Sequence, residues 1–359
     1  NEERLTDYIL SLPKQDRDYI LSQLQPEESS FIQEVIRQRL GAEDPVWWIE
    51  DTFGVILWDK QREIVESVKN NKRTAVASCH AAGKSFTSAL VCLWFLNCHK
   101  NSTIISTAPT ARQVEQVLWK EIRSAFKNAK YQLPGELLLK SLTIDDKWRA
   151  FGFSTDVADA FQGHHSADIL IIFDEASGVE ATTWDPLPGV LTGANAHFLS
   201  IGNPTDPSSR FKLECDSPVT NTIYISAFDT PNIKKFNITK EVLEGYEWSP
   251  TELTRFIKEQ CGCNSVEELR KALPYPALAD PEWLYDCYFR LRPTSPMWEA
   301  RVEGKFPDQG EGSLIPVSWI MRAVETDLPA TLPHEFGCDV AYLGQDENVI
   351  VERCGGQAR

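Results

Sequence analysis

An α/β fold, with a mostly parallel central sheet covered by helices on both faces, is predicted by three observations. Short apolar strands alternate with helical stretches between residues 73 and 230. One strand runs into a Gly-Lys-Ser tripeptide that opens a helix, and another ends in two consecutive carboxylates. Apolar runs of this kind, alternating with helices, belong in a sheet buried on both faces.

Residues 1–45 read as short amphipathic helices, "LTDYILSLP", "DRDYILSQL" and "SSFIQEVIRQRL", separated by polar turns. They bury too little to stand alone and are expected to pack on the body or on a neighbouring subunit. "TAVAS" (74–78) is the first strand of the alternating region, and a helix follows from Gly83 to about Cys98. "STIISTAP" (102–109) is the next strand, and "TARQVEQVLWKEIRSAFKNA" (110–129) reads as one amphipathic helix. "LLKSLTIDDKWRAFGFS" (138–154) has the pattern of a hairpin turning at Asp145-Asp146. "ADILIIFDEAS" (167–177), "AHFLSIGNPT" (196–205) and "NTIYISAFDT" (221–230) supply three more strands. From about 240 to 325 the chain turns helical and rich in Pro and Trp. "EFGCDVAYLGQDENVIVER" (335–353) then opens a hairpin-like strand pair, read as the first elements of a further domain.

The bulk numbers narrow the classes. A chain of 359 residues suggests one large or two smaller domains, and 42% hydrophobic with 25% charged residues is ordinary globular composition. No apolar run approaches the ~18–20 residues that span a bilayer, and "NEERLTDYIL" lacks a signal-peptide layout. Nine scattered cysteines, an odd count, argue for free thiols in a reducing cytoplasm. Cys261-Gly-Cys263 has no second Cys or His pair to complete a zinc site. The net charge of −16 confines any nucleic-acid contact to local basic patches or partner subunits. The run "KNNKR" (69–73) with Lys120, Arg123 and Lys127 are candidates.

"SCHAAGKS" (78–85) nearly matches the phosphate-binding pattern Gly-x-x-x-x-Gly-Lys-Ser/Thr, with Ser78 in place of the leading Gly. It lies after a strand and opens a helix, so the backbone of Cys79, His80, Ala81, Ala82, Gly83, Lys84 and Ser85 can wrap an anion. Lys84 is placed to reach the β- and γ-phosphates of ATP and Ser85 to sit on Mg²⁺. In "ILIIFDE" (169–175), Asp174 would hold the Mg²⁺ and Glu175 would deprotonate the attacking water. Gln61, in "WDKQREIV" (58–65), could read the adenine edge, because a side-chain amide both donates and accepts. "SIGNPT" (200–205), with Asn203, ends the strand after the acidic one and could sense the γ-phosphate. The bland alternatives are a plain helix start, a strand ending in a solvated acidic turn, a surface Gln and an ordinary turn; two motifs each ending a strand favour the nucleotide site.

Taken together these residues resemble the large subunit of tailed-bacteriophage terminases, the motors that pump DNA into capsids. The resemblance rests on Gln61, "SCHAAGKS", "STAPTARQVEQVLW" (106–119), "FQGHHSADILIIFDEAS" (161–177), "SIGNPT", "SAFDTPNI" (226–233) and "WEARVEGKFPDQGEGSLIPVSWI" (298–320). It implies a P-loop NTPase fold of the ASCE type, with an N-terminal helical segment (1–45), ATPase core (46–240) and helical lid or linker (241–325). Residues 326–359 would be the first strands of an incomplete ribonuclease H-like nuclease domain. Lys84 and Ser85 match the family's phosphate loop, Asp174 and Glu175 its metal and catalytic carboxylates, and Ser200 to Asn203 its coupling motif. Asp339 would be the first ligand of a two-metal nuclease site using Mg²⁺ or Mn²⁺, with Asp346 a further carboxylate. Such a site needs several carboxylates within ~4 Å of shared ions, so this chain alone is expected not to cut DNA. For the arginine finger, Arg149 ranks first as a catalytic candidate, followed by Arg210 and Arg112, with Arg73 nearest the phosphate loop.

The resemblance further implies double-stranded DNA, a portal protein and a small terminase subunit as partners. It implies a homo-oligomeric ring, a pentamer when assembled, no membrane, and a place in the host cell cytoplasm docked transiently on the procapsid. Two rivals are a helicase-like DNA-dependent ATPase and a nucleotide-binding assembly subunit without turnover, the second favoured by Ser78.

Overall fold

The computed structural model describes residues 8–9, 11–23, 26–154, 166–308, 315, 317–326, 330–339, 349–355 and 357–358. The chain forms two compact units, Asn1–Pro307 and Asp308–Arg359.

The first unit is built on an eight-stranded sheet. Its strands are β1 (Arg73–Ser78), β2 (Thr103–Ala108), β3 (Glu136–Leu137), β4 (Ser141–Asp145), β5 (Trp148–Ser154), β6 (Asp168–Asp174), β7 (Asn195–Gly202) and β8 (Asn221–Ile225). Their spatial order is β3-β4-β5-β2-β6-β7-β1-β8. The six strands from β5 to β8 are parallel, and β3 and β4 extend the sheet antiparallel at one edge. The β4–β5 hairpin pairs Asp145 with Trp148 and so turns at Asp146-Lys147. β7 is an additional strand between β1, which carries the phosphate-loop sequence, and the acidic strand β6. This is the strand order expected of a P-loop NTPase of the ASCE type.

Alternation along β6 shows why the sheet is buried twice over. Leu170 and Ile172 join one core, whereas Ile169, Ile171 and Phe173 join the core on the other face. The second core is closed by aromatic edges: Phe173 meets Trp184 at 4.9 Å and Phe198 at 5.0 Å between ring centroids. On the first face lies the helix Lys84–Cys98, apolar around its whole circumference and buried from Leu90 to Leu96. Trp94 Nε1 donates to Gly41 O at 2.7 Å, anchoring the N-terminal helix Pro26–Glu43 on the body.

The stretch 110–129 is not one α-helix. A short α-turn, Ala111–Gln113, passes into a π-turn, Val114–Leu118, before the helix Trp119–Lys127, and Trp119 N–H bonds back to Val114 O. The wide turn brings Val114, Leu118 and Trp119 onto the sheet, where Trp119 Nε1 donates to Ser106 Oγ at 3.0 Å. Gly152 on β5 makes room, because a Cβ there would lie 2.3 Å from Trp119 Nε1.

Beyond β8 the first unit is helical. Ser249, Asp280 and Ser295 each cap a helix whose first residue is Pro: Pro250–Cys261, Pro281–Leu291 and Pro296–Arg301. Each cap oxygen accepts the N–H three residues on, and proline, lacking that donor, costs nothing in the first turn. The second unit contains the helix Val317–Glu325 and a sheet of β9 (Ala330–Asp339), β10 (Val349–Gly355) and β11 (Gln357–Ala358) in the order β11-β10-β9. The strand pair β9–β10 is antiparallel, as the sequence predicts for this stretch.

Candidate nucleotide site

The carboxyl ends of β1, β6 and β7 bring Lys84, Ser85, Asp174 and Asn203 together. Lys84 Nζ donates to Cys79 O at 3.1 Å and to Asn203 Oδ1 at 3.3 Å. Asn203 Nδ2 in turn donates to Ser78 O at 2.6 Å, so one amide bridges the end of β1 and the lysine. Ser85 Oγ lies 3.4 Å from Asp174 Oδ2, donating to it. The two motifs read from the sequence thus meet across β7.

Asp174 is fully buried, and its other oxygen, Oδ1, is buried without a hydrogen-bond partner. Burial, then the neighbouring Glu175 charge, push its carboxyl up to about 7, against the pull of Lys84. An orphaned carboxylate oxygen beside a hydroxyl is a hard-oxygen donor set that fits Mg²⁺. Glu175 follows in the left-handed region, φ 50° and ψ 46°, a conformation rare for a residue with a Cβ. That break ends the strand at Asp174, so the two adjacent carboxylates escape the strict up–down alternation of a continuing strand. Gly202 lets the turn approach, since a Cβ there would sit 2.9 Å from Ala176 N.

The loop itself resolves the Ser78 departure. Ser78 is the last residue of β1 and fully buried. The left-handed positions are Ala81, at φ 51°, and Gly83, at φ 80°. Only Gly83 is sterically obligatory: a Cβ there would lie 2.8 Å from Gln61 Nε2. Residue 78 therefore has no conformational need to be glycine.

Gln61 is buried, its Oε1 accepting Trp58 N–H at 3.4 Å and its Nε2 donating to Thr87 Oγ1 at 3.0 Å. Through these two bonds it braces the loop from behind. The side chains of Ser78 and Cys79 are likewise buried. The amides of Cys79 and His80 already donate, to Ile225 O and Arg301 O at 2.8 Å each. An anion cradle here would accordingly draw on the backbone from Ala81 to Ser85. Burial pushes the Cys79 thiol up to about 12, and burial with the nearby Lys84 and Arg301 charges lowers His80 to about 4. Both are neutral at pH 7, which leaves Lys84 as the cation of the loop.

Arg149 opens β5 beside Thr103, at the amino end of the parallel strands. With about 3.3 Å per residue, five residues of β2 separate it from the end where the phosphate loop lies. It therefore does not serve the site of its own chain, and its guanidinium instead lies 5.3 Å from the Phe151 ring. Arg73 pairs with Glu214 at 2.8 Å and Arg210 with Asp185 at 2.7 Å. Arg112 is exposed, four residues beyond the carboxyl end of β2, the strand that pairs with β6, and is unpaired among the described residues. Of the basic candidates, Lys72 Nζ bonds Leu191 O and Gly193 O at 3.0 Å, and Lys69 and Arg123 donate to the carbonyls of Glu43 and Leu139. Lys120 and Lys127 are exposed. Asp339 ends β9 opposite Val349, and Asp346 lies outside the described residues.

Sequence reasoning missed the contacts from the helical region onto the loop. Besides the Arg301 carbonyl, Ala81 O accepts Ala279 N–H at 2.8 Å, and Val302 O accepts Ala227 N–H at 2.8 Å. Gly304, at φ +65°, would place a Cβ 2.1 Å from Ile225 O and 3.0 Å from Cys79 N. The glycine in "VEGKFP" was the one signal for this approach.

A probable terminase large subunit of Enterobacteria phage P7 is 29% identical over 170 residues, 44% of this chain and 34% of the relative. The chain resembles a terminase large subunit. The match spans about a third of that terminase's length. No protein-family model matches. Among solved structures, a mutant ATPase domain of the Thermus phage P74-26 large terminase is 14% identical, covering 74% of this chain and 98% of that one, at TM-score 0.49. The large terminase of another, thermophilic bacteriophage, solved in complex with ADP, is 16% identical, covering 52% and 48%, at TM-score 0.41.

Proposed function

We propose that this chain is the ATP-hydrolysing part of a motor that drives double-stranded DNA into a viral procapsid. The observation that carries the reading is the meeting of Lys84, Ser85, Asp174 and Asn203, with Lys84 Nζ 3.3 Å from Asn203 Oδ1 and Ser85 Oγ 3.4 Å from Asp174 Oδ2. Ser85 and Asp174 would hold Mg²⁺, which supplies charge neutralisation at the β- and γ-phosphates. Lys84 Nζ exchanges Cys79 O and Asn203 Oδ1 for phosphate oxygens. Asn203 then keeps only its bond to Ser78 O, so the end of β7 responds to the lysine. Glu175 takes the proton of the attacking water. The bonds from His80 to Arg301 and from Ala81 to Ala279 are a direct route from loop to helical lid.

DNA contacts fall to exposed cations such as Lys120 and Lys127, made to phosphates and weakened by salt. The name of the phage P7 relative supports a packaging role. In the whole protein the partners would be portal protein and small terminase subunit, with a pentameric ring docked transiently on the procapsid in the host cytoplasm. Asp339 and Asp346 would begin its Mg²⁺- or Mn²⁺-dependent nuclease site. Ser78 no longer favours a turnover-free assembly subunit, because that position makes no left-handed turn.

Phosphate release with and without duplex DNA tests the reading. Glu175→Gln should bind ATP yet turn over about 10²–10⁴-fold more slowly, and Lys84→Ala should lose nucleotide binding. Near-normal turnover in Glu175→Gln removes that residue from its role. Absence of turnover in the wild type, even with DNA, returns the assembly-subunit reading.

A further inference from the structure

On β9 and β10, in the second unit, three Lewis bases converge. His334 Nδ1 lies 2.7 Å from Glu352 Oε1 and 3.1 Å from Cys354 Sγ. One ligand atom from each of the three residues lies within 4.8 Å of the others. The strand register explains the convergence. His334 and Cys354 are directly opposite each other in the antiparallel ladder, and Glu352 precedes Cys354 by two residues, so all three share one face. They sit at the end of the pair remote from Asp339, which opposes Val349.

The proton inventory is what makes this arrangement unusual. Nδ1 offers either one N–H or one lone pair, yet it stands in close contact with both a carboxylate and a thiol. If it donates to Glu352, the thiol finds no lone pair on the ring nitrogen. If it accepts from the thiol, its lone pair is shared between that contact and a facing carboxylate oxygen. A divalent cation among the three would take one donor atom from each.

We propose that His334, Glu352 and Cys354 form a binding site for a borderline-soft divalent metal of the Zn²⁺ class. The metal takes the neutral imidazole, the carboxylate and the thiolate; the thiol proton passes to solvent, and the two ligand charges balance the 2+ ion. Imidazole with thiolate selects Zn²⁺, Co²⁺ or Cd²⁺ over Mg²⁺. Metal–ligand bonds of about 2.0–2.3 Å at tetrahedral angles set donor separations near 3.3–3.6 Å. The His334–Glu352 contact reaches that by opening about 0.6 Å and the His334–Cys354 contact by about 0.4 Å, through rotation of His334 and Glu352, which are not buried. Cys354 is 3% exposed, which shields the thiolate, while His334 is exposed and leaves the fourth position to water. Because binding releases the thiol proton, affinity rises with pH.

The test uses the whole chain, freed of metal with a chelator, then titrated with Co²⁺ and followed by the thiolate-to-metal charge-transfer band in the near ultraviolet. One equivalent should give the band, a tenfold excess of Mg²⁺ should leave it unchanged, and Zn²⁺ should displace it. Cys354→Ser should abolish the band, Glu352→Gln should weaken Co²⁺ binding about tenfold, and Cys261→Ser should change neither. Glu352→Gln keeps the side-chain shape, so it reports on ligation even where Cys354→Ser fails to fold. No band at saturating Co²⁺, a band that survives Cys354→Ser, or unchanged affinity in Glu352→Gln would overturn the proposal. ATP turnover enters none of these readouts.

Discussion

Asp174→Asn is the perturbation that most directly tests the reading of the acidic strand. In the folded chain burial and Glu175 push this carboxyl from 3.8 up to about 7. A raised carboxyl makes the native state hold a proton that the unfolded chain has released, so stability falls as pH climbs between those two values. Between pH 6 and pH 8 the native group goes from mostly protonated to mostly ionised, while the unfolded group is ionised throughout. Integrating the proton difference over that interval gives a loss of about 1.4 kcal/mol from this one side chain. Asparagine is neutral at both values and contributes no such slope. The assay is urea unfolding of wild type and Asp174→Asn at pH 6 and pH 8, in chelator without nucleotide. Subtracting the two pH differences cancels every other titrating group. The wild type should lose about 1.4 kcal/mol more than the variant, a shift of about 2 °C in Tm for a unit of this size. Mg²⁺ and a non-hydrolysable ATP analogue should recover the wild-type loss and leave the variant unaffected. Equal pH dependence in the two proteins would refute the raised, fully buried carboxyl.

Three further outcomes follow from the geometry. Gly304→Ala should destabilise the first unit by about 2–5 kcal/mol, since it combines a left-handed backbone with a Cβ driven into Ile225 O. A denaturation midpoint within error of wild type would mean this segment does not press on the loop. Ser78→Gly should leave turnover within about twofold and cost about 0.5–1 kcal/mol, the penalty of glycine at a strand end; faster turnover by an order of magnitude would show that Ser78 handicaps the site. In a DNA-stimulated phosphate-release assay, Arg112→Ala should lower turnover at least tenfold and Arg149→Ala by no more than about twofold, the finger being worth up to about 10³–10⁵. The reverse ranking would return Arg149 to the site from a neighbouring subunit.

What was legible in the sequence was whatever a short window dictates. The parallel strands, the loop after β1 and the acidic end of β6 are local signals, each a run of apolar residues meeting a turn. Their meeting was inferable because both motifs end strands, and parallel strands place those ends on one edge. The contacts of Gln61 were not legible because its environment is set by Thr87 and Gly83, more than twenty residues away. The edge on which Arg149 lies was hidden for a related reason: a strand's direction within the sheet decides which edge its first residue faces, and the hairpin's composition is silent on that. The π-turn at Val114–Leu118 escaped because a period of 3.6 fits the surrounding residues well, and the widened turn answers to Trp119 reaching Ser106. The contacts from Arg301 and Ala279 are made by backbone atoms, which no side-chain pattern records.

The helix that begins at Lys84 has a property that becomes important once the loop moves. Ten residues separate Lys84 from Trp94, or about 15 Å of axial rise, and nearly every side chain between them is wedged among neighbours. A rod so tightly held does not bend locally; it slides or tilts as one piece. Whatever a nucleotide does at the first turn is therefore felt at the indole that grips Gly41, and the N-terminal helix becomes the far end of a lever whose near end is the phosphate loop.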